Sequence, residues 1–126
     1  MQTYRNKSGK YTYGRNGTPT SESLTYSIAS LYNAHGCVLA PSGMAAITTG
    51  LMSILKANDH ILISDSVYGS TRRFVKEELP RLNIDFEFYN SRDLENLKSL
   101  IKDNTTAIYL ESPGTYTFEI IDIKKV

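Results

Sequence analysis

The run His60-Ile61-Leu62-Ile63-Ser64 constrains the fold more than any other part of the chain. Its three central aliphatic residues follow one another without the polar–apolar alternation of a strand that has one solvated face. Such a run predicts a β-strand that is buried on both faces. Strands of this kind belong to parallel sheets that are covered by helices.

Strands and helices alternate along the rest of the chain. Further strands are predicted at 37–40, 84–89 and 106–111. Helices are predicted from Thr18 or Ser21 to His35-Gly36, from Gly43 to about Lys56, near 71–80, and from Ser91 or Asp93 to Asp103-Asn104. The alternation within 84–89 is typical of an edge strand, whereas 106–111 is expected to be buried. This order predicts an α/β fold with a mostly parallel sheet and flanking helices.

Composition argues against several classes of protein. The 126 residues carry a net charge of +1 and no basic run, so nucleic acid is not an expected partner. The N-terminal residues lack a secretory apolar region, and no stretch is predicted to span a membrane. The single cysteine, Cys37, is typical of a reducing cytoplasm, where we expect the protein to reside. No metal site is expected, because His35 and His60 have no partners at ligand spacing.

The turn Pro41-Ser42-Gly43-Met44 is the first candidate binding site. It stands between a predicted strand and a predicted helix, so backbone N–H groups and the positive end of the helix dipole meet there. A helix N-terminus of this kind is suited to bind phosphate. The alternative interpretation is a Ser-Gly turn that serves only to bend the chain.

Three other loops follow predicted strands, at 65–71, 90–92 and 111–114. Ligands bind beyond the carboxyl ends of the strands in parallel sheets, so we expect these loops to meet at one crevice. The loop 65–71 contributes an aromatic ring, Tyr68. The chain contains neither the dinucleotide fingerprint nor the P-loop, so the pattern favours another flat, phosphorylated cofactor.

Residues 1–20 are interpreted as an N-terminal arm. In an extended segment, Tyr13 and Arg15 would lie on one side and present a hydroxyl and a guanidinium to one anion. The alternative interpretation is a disordered leader.

Four motifs resemble, in their order and spacing, the Cys/Met-metabolism family of pyridoxal-phosphate enzymes. They are Tyr13-Gly14-Arg15, Ser42-Gly43-Met44-Ala45-Ala46, Val67-Tyr68-Gly69 and Glu111-Ser112-Pro113-Gly114. The resemblance covers nearly the whole chain from about Tyr11. Within the family, the segment 111–119 resembles the cystathionine β-lyase branch, since γ-synthases and γ-lyases usually carry Asn-Pro in place of Thr115-Tyr116.

The resemblance implies the incomplete large domain of a fold-type I enzyme with pyridoxal 5′-phosphate as cofactor. It implies that Ser42, Gly43 and Met44 bind the cofactor phosphate. Tyr68 would be a catalytic residue that stacks on the pyridine ring and influences proton transfer. The implied reaction is α,β-elimination of a sulfur amino acid, cystathionine, to homocysteine, pyruvate and ammonia, as in methionine biosynthesis.

The resemblance also implies an assembly of subunits. Tyr13 and Arg15 would contact the phosphate of the neighbouring subunit's cofactor, so a homo-oligomer is expected.

The chain departs from the family in length. Full-length members are several times longer, and their Schiff-base lysine lies beyond Val126, since Lys124 and Lys125 come too early. We therefore expect 21–126 to be a partial cofactor-binding domain, truncated before that lysine and inactive alone. One alternative is a non-catalytic remnant that binds phosphate or associates with a complete subunit. Another is a small flavodoxin-like domain with a closed sheet.

The resemblance also implies the order of the strands. The segments 84–89, 61–64 and 107–111 should lie side by side in that order, with 61–64 in the centre. The strand at 37–40 should lack its usual neighbours, and such an exposed edge would make the isolated chain marginally stable and prone to aggregate.

Overall fold

The structure is a computed structural model that describes residues 11–126. What the sequence predicts for residues 1–10 of the arm lies outside the described residues. The chain divides into two compact units, the first ending at Pro41 and the second comprising Ser42–Val126. The arm boundary at residue 20 stays a prediction.

The first unit contains one long helix, α1 (Pro19–Leu31). It begins as predicted, because Thr18 and Ser21 form a reciprocal capping box and Pro19 occupies the first turn. The predicted end at His35-Gly36 is wrong. Asn33 adopts a left-handed conformation (φ 49°) and closes the helix earlier.

Two backbone bonds complete this early end of α1. The N–H of Asn33 donates to the carbonyl of Ser30 at 3.2 Å, and the N–H of Ala34 donates to that of Ala29 at 2.8 Å. This is the Schellman pattern, which asparagine supports almost as glycine does because its short side chain tolerates a positive φ.

Two extended segments predicted in the first unit take other forms. Residues 14–16 make a 3-10 turn, Gly14–Asn16, rather than extended chain, and the following Gly17 has a positive φ of 133°. Residues 37–40 form no strand, and Val38 is 88% exposed. A strand needs a neighbour to accept and donate its backbone hydrogen bonds, and none of the strands described below pairs with this segment.

The second unit is built on a three-stranded parallel sheet. Its strands are β1 (His60–Ser64), β2 (Asp85–Tyr89) and β3 (Thr105–Tyr109), arranged in the order β2-β1-β3. This order confirms the predicted one, with β1 in the centre. The pairing of β1 with β3 shifts by one residue between His60 and Ile61.

Three helices connect and flank the strands: α2 (Gly43–Ile54), α3 (Gly69–Glu77) and α4 (Leu94–Ser99). Helix α2 begins at the predicted Gly43. It ends before the predicted Lys56, whose N–H donates to the Asp59 carboxylate at 2.9 Å and starts a turn. Helix α4 begins after the predicted cap Asp93 but ends five residues before the predicted Asn104.

Strand β1 is buried on both faces, as predicted. Ile61 and Ile63 join a cluster with α2 and α3, whereas Leu62 packs on the opposite face with Tyr89 and Leu97. The prediction that 106–111 is buried is wrong, since β3 is only half-buried. In the described sheet, β3 has a neighbour on one side only, so its other side has no strand to cover it.

Among residues 11–126, no helix has both the length and the apolar character needed to cross a membrane.

Candidate functional site

Helix α2 begins with backbone donors that the rest of the described chain does not use. The Ser42 hydroxyl accepts the N–H of Ala45 at 3.1 Å and so caps the first turn. Within residues 11–126, no acceptor bonds the N–H groups of Gly43 and Met44. Gly43 is exposed, and no atom lies within 4 Å of the place where its Cβ would be. The start of α2 therefore has room and two free donors for an anion.

Helix α3 begins differently, at Tyr68. The side chain of Tyr68 makes no capping hydrogen bond. Instead, the Tyr68 N–H donates to Glu111 Oε2 at 2.9 Å, and the Thr71 hydroxyl donates to Glu111 Oε1 at 3.3 Å. A carboxylate from the segment after β3 thus lies at the positive end of this helix.

The two helix starts approach each other at Thr71. This side chain is fully buried, and its Oγ1 lies 4.0 Å from Met44 Sδ. The ring of Tyr68 remains 46% exposed. Met44 of the candidate turn and Glu111 therefore both lie against Thr71, three residues after Tyr68.

Glu111 has two further partners. Tyr109 donates its hydroxyl to Oε1 at 3.1 Å, and Thr115 donates to Oε2 at 3.3 Å. Burial, together with the charge of Glu111, raises the pKa of Tyr109 to about 12, so Tyr109 remains a donor near neutral pH. Sequence reasoning missed this network, because the bond to Tyr68 spans 43 residues.

The segment after β3 also contacts the loop after β1 closely. A Cβ on Gly114 would lie 2.8 Å from Ser66 Cβ and 3.1 Å from Glu119 Cδ, which no side chain tolerates. The N–H of Thr115 donates to the Ser66 carbonyl at 2.8 Å. Glycine is therefore required at position 114 by the close approach of the two loops.

A second carboxylate, Glu119, connects this segment with the loop after β2. Ser91 donates its hydroxyl to Glu119 Oε1 at 2.9 Å, and Arg92 Nη2 lies 3.8 Å from Oε2. Hydrogen bonds from Thr117 and Ser91 lower the pKa of Glu119. The loops after β1, β2 and β3 thus meet at one edge of the sheet, as predicted.

Tyr13 and Arg15 belong to the first unit. Both are exposed, and the Arg15 guanidinium carbon lies 5.1 Å from the centre of the Tyr13 ring. The 3-10 turn, rather than an extended chain, brings the two side chains together.

Comparison with known proteins identifies the family. All of residues 1–126 match the model of the Cys/Met metabolism PLP-dependent enzymes. The chain belongs to this family. It is an α/β chain of the kind found in fold-type I pyridoxal-phosphate enzymes.

Relatives within the family differ in activity. The chain is 42% identical to cystathionine beta-lyase MetC from Bacillus subtilis, over 94% of this chain and 30% of the relative. It is 38% identical to an L-methionine gamma-lyase from Treponema denticola, over 92% of this chain and 29% of the relative. The chain therefore spans about a third of the length of these family members.

A solved structure supports the same assignment. A Campylobacter jejuni protein assigned as an O-acetylhomoserine (thiol)-lyase holds N′-pyridoxyl-lysine-5′-monophosphate. It superposes with a TM-score of 0.83 and 30% identity, over 90% of this chain and 28% of that protein.

The described residues fit the family's cofactor. A phosphate dianion needs donors and positive potential, and α2 offers two unused N–H groups at its positive end with no carboxylate bonded to them. A pyridine ring needs an accessible flat surface, and the ring of Tyr68 is half exposed.

Proposed function

We propose that this chain provides the phosphate- and ring-binding part of a pyridoxal-phosphate-dependent carbon–sulfur lyase of the cystathionine β-lyase type. The reaction is α,β-elimination: cystathionine and water yield homocysteine, pyruvate and ammonia. The observation that carries this proposal is the open start of α2, whose Met44 side chain lies against Thr71 in the first turn of α3, the helix that follows Tyr68. In this proposal the enzyme is a homo-oligomer and is located in the cytoplasm.

The choice of the β-lyase rests on one segment. Residues 111–119 resemble the β-lyase branch in having Thr115-Tyr116 where γ-lyases usually have Asn-Pro. The B. subtilis relative, named a cystathionine beta-lyase, supports this choice, whereas the T. denticola relative is a γ-lyase. Product analysis separates the two, because β-elimination from cystathionine releases pyruvate and γ-elimination releases 2-oxobutyrate.

Each site residue has a role in this proposal. The N–H groups of Gly43 and Met44 bind the cofactor phosphate, while Ser42 holds the first turn of α2 in place. The ring of Tyr68 stacks on the cofactor and lies near the site of proton transfer. When bound, the cofactor supplies an electron-accepting ring for the elimination.

The first unit has a separate role in the proposal. Tyr13 and Arg15 contact the phosphate of the neighbouring subunit's cofactor. Their mutual stacking supports this role, since it holds a guanidinium and a phenol hydroxyl side by side.

Replacing one backbone donor tests the phosphate site directly. Gly43→Pro removes the N–H at the first helical position, where proline is well tolerated, and Ser42 already has the extended conformation that precedes proline (φ −159°, ψ 164°). Gly43→Ala is the matched control, because it keeps the N–H. We expect inorganic phosphate to shift the amide NMR signals of Met44 and Ala45, and Gly43→Pro to weaken this binding about tenfold. Equal affinity in the proline and alanine variants would refute the proposed site.

A further inference from the structure

Glu111 makes a set of hydrogen bonds to which the proposed function gives no role. Four groups donate to its carboxylate: the Tyr68 N–H, the Thr71 and Thr115 hydroxyls, and the Tyr109 hydroxyl. These donors come from α3 and its preceding loop, from β3, and from the segment after β3. One half-buried side chain therefore joins three parts of the second unit.

The bond to Tyr68 is the most informative of the four. Tyr68 is the residue before the first turn of α3, where Ser, Thr, Asp or Asn usually supplies a cap. A tyrosine cannot accept from its own helix, and no such bond is made here. Glu111 instead accepts from the N–H of Tyr68 itself, and its carboxylate brings to the start of the helix a negative charge that the dipole favours.

This arrangement fixes the backbone from which the Tyr68 ring projects. The ring itself is half exposed and has no hydrogen-bond partner among the described residues, so its direction depends on the backbone and on χ1. The bond from the Tyr68 N–H to the Glu111 carboxylate has an ordinary length of 2.9 Å and is charge-assisted, and the Thr71 hydroxyl holds the first turn of α3 to the same carboxylate.

We propose that Glu111 is a positioning residue, which sets the ring of Tyr68 for stacking on the cofactor by holding the Tyr68 backbone. The inference rests on the proposed function for the role of the ring. The hold on the Tyr68 backbone is measurable without any cofactor.

Three variants separate positioning from general stability. Glu111→Ala removes the acceptor, and Glu111→Gln keeps an oxygen of the same shape without the charge. Glu119→Gln is the matched control, because Glu119 lies in the same segment but bonds Ser91 and lies near Arg92. Each variant is examined as the full 126-residue chain labelled with ¹⁵N.

The first measurement is hydrogen exchange at the Tyr68 amide. We expect Glu111→Ala to speed exchange at Tyr68 about tenfold or more, Glu111→Gln to give an intermediate rate, and Glu119→Gln to leave the rate unchanged. An unchanged rate in Glu111→Gln and Glu111→Ala would overturn the proposal.

The second measurement uses two probes, inorganic phosphate and pyridoxamine 5′-phosphate, which has no aldehyde to react with lysines. Phosphate reports only on the start of α2, whereas pyridoxamine 5′-phosphate also needs the Tyr68 ring. We expect Glu111→Ala to weaken pyridoxamine 5′-phosphate about tenfold and to leave phosphate affinity unchanged, with Glu111→Gln in between. Equal losses for both probes would indicate a structural role only and overturn the proposal.

The two proposals can fail separately. If neither probe affects Gly43 and Met44 in the unaltered chain, the proposed function fails, and the ring-positioning role fails with it. If both probes bind there but the Glu111 variants bind them normally, only the inference about Glu111 fails.

Discussion

Helices α2 and α3 both begin at the candidate site, but their positive ends are completed in opposite ways. Helix α2 has its own cap, Ser42, and leaves the N–H groups of Gly43 and Met44 without an acceptor in the described chain. Helix α3 has no cap of its own and receives a carboxylate, Glu111, from the segment after β3. A helix start by itself does not make an anion site. A candidate anion site also needs a start that no carboxylate of the described chain is bonded to, as at α2.

The comparison also separates two kinds of stabilising contact. The cap of α2 acts over three residues and would form in almost any tertiary context. The bond from the Tyr68 N–H to Glu111 acts over 43 residues and exists only when the sheet and its loops have assembled. Substitutions should therefore affect the two helix starts unequally.

The largest effect is expected from Gly114→Ala, which displaces the segment that holds Glu111 at the start of α3. The new methyl would lie 2.8 Å from Ser66 Cβ, so the segment that carries Glu111 must move away from the loop before α3. We expect a loss of about 2–3 kcal/mol in the free energy of unfolding, measured by urea denaturation.

Gly50→Ala is the control for this substitution. Gly50 lies inside α2 with no atom within 4 Å of its Cβ position, so alanine should be neutral or stabilise by up to about 1 kcal/mol. Equal losses in the two variants would show that the close contact at Gly114 does not limit stability.

The next effect compares the distant bond at the start of α3 with the local cap of α2. Glu111→Ala leaves the Tyr68 N–H without its acceptor and should cost about 2 kcal/mol, because charged hydrogen bonds contribute more than neutral ones. Ser42→Ala removes a local neutral cap and should cost about 1 kcal/mol. Urea denaturation of both variants gives the comparison, and a larger loss in Ser42→Ala would show that the local cap of α2 contributes more to stability than the Glu111 bond at the start of α3.

The smallest effect on stability is expected from lowering the pH. It acts through His60 in the central strand β1, so it should affect the starts of α2 and α3 equally. Burial, helped by nearby Lys102, lowers the pKa of His60, which therefore stays neutral in the fold. The unfolded chain has the ordinary value of 6.5 and binds a proton below it. Stability should fall as the pH drops from about 7 towards the lowered pKa of His60.

Measuring urea denaturation at several pH values above 5 isolates this contribution of His60. The carboxylates with a lowered pKa, Glu87 and Glu119, lose their stabilising effect only below their ordinary value of 4.5. His60→Asn keeps a polar group near Thr105, whose hydroxyl lies 2.8 Å from Nδ1, and should flatten the pH dependence. A slope that persists in this variant would assign the acid sensitivity to another group.

Short-range patterns in the sequence predicted much of the fold. The aliphatic run of β1 indicated burial on both faces, and the alternation in 84–89 indicated an edge strand. The strand order was predicted through the family resemblance rather than from any local pattern. The same local logic failed at the end of α1, where Asn33 took the left-handed position that was expected of Gly36.

The sequence by itself determined the features that depend on near neighbours along the chain: the capping box of α1, the start of α2 at Gly43 and the burial of β1. Tertiary structure alone decided the bond from Tyr68 to Glu111 and the close contact of Gly114 with Ser66. The reason is physical. A cap or an apolar period is encoded within about four residues, whereas a carboxylate finds a donor 43 residues away only when parallel strands bring their carboxyl ends to the same edge of a sheet.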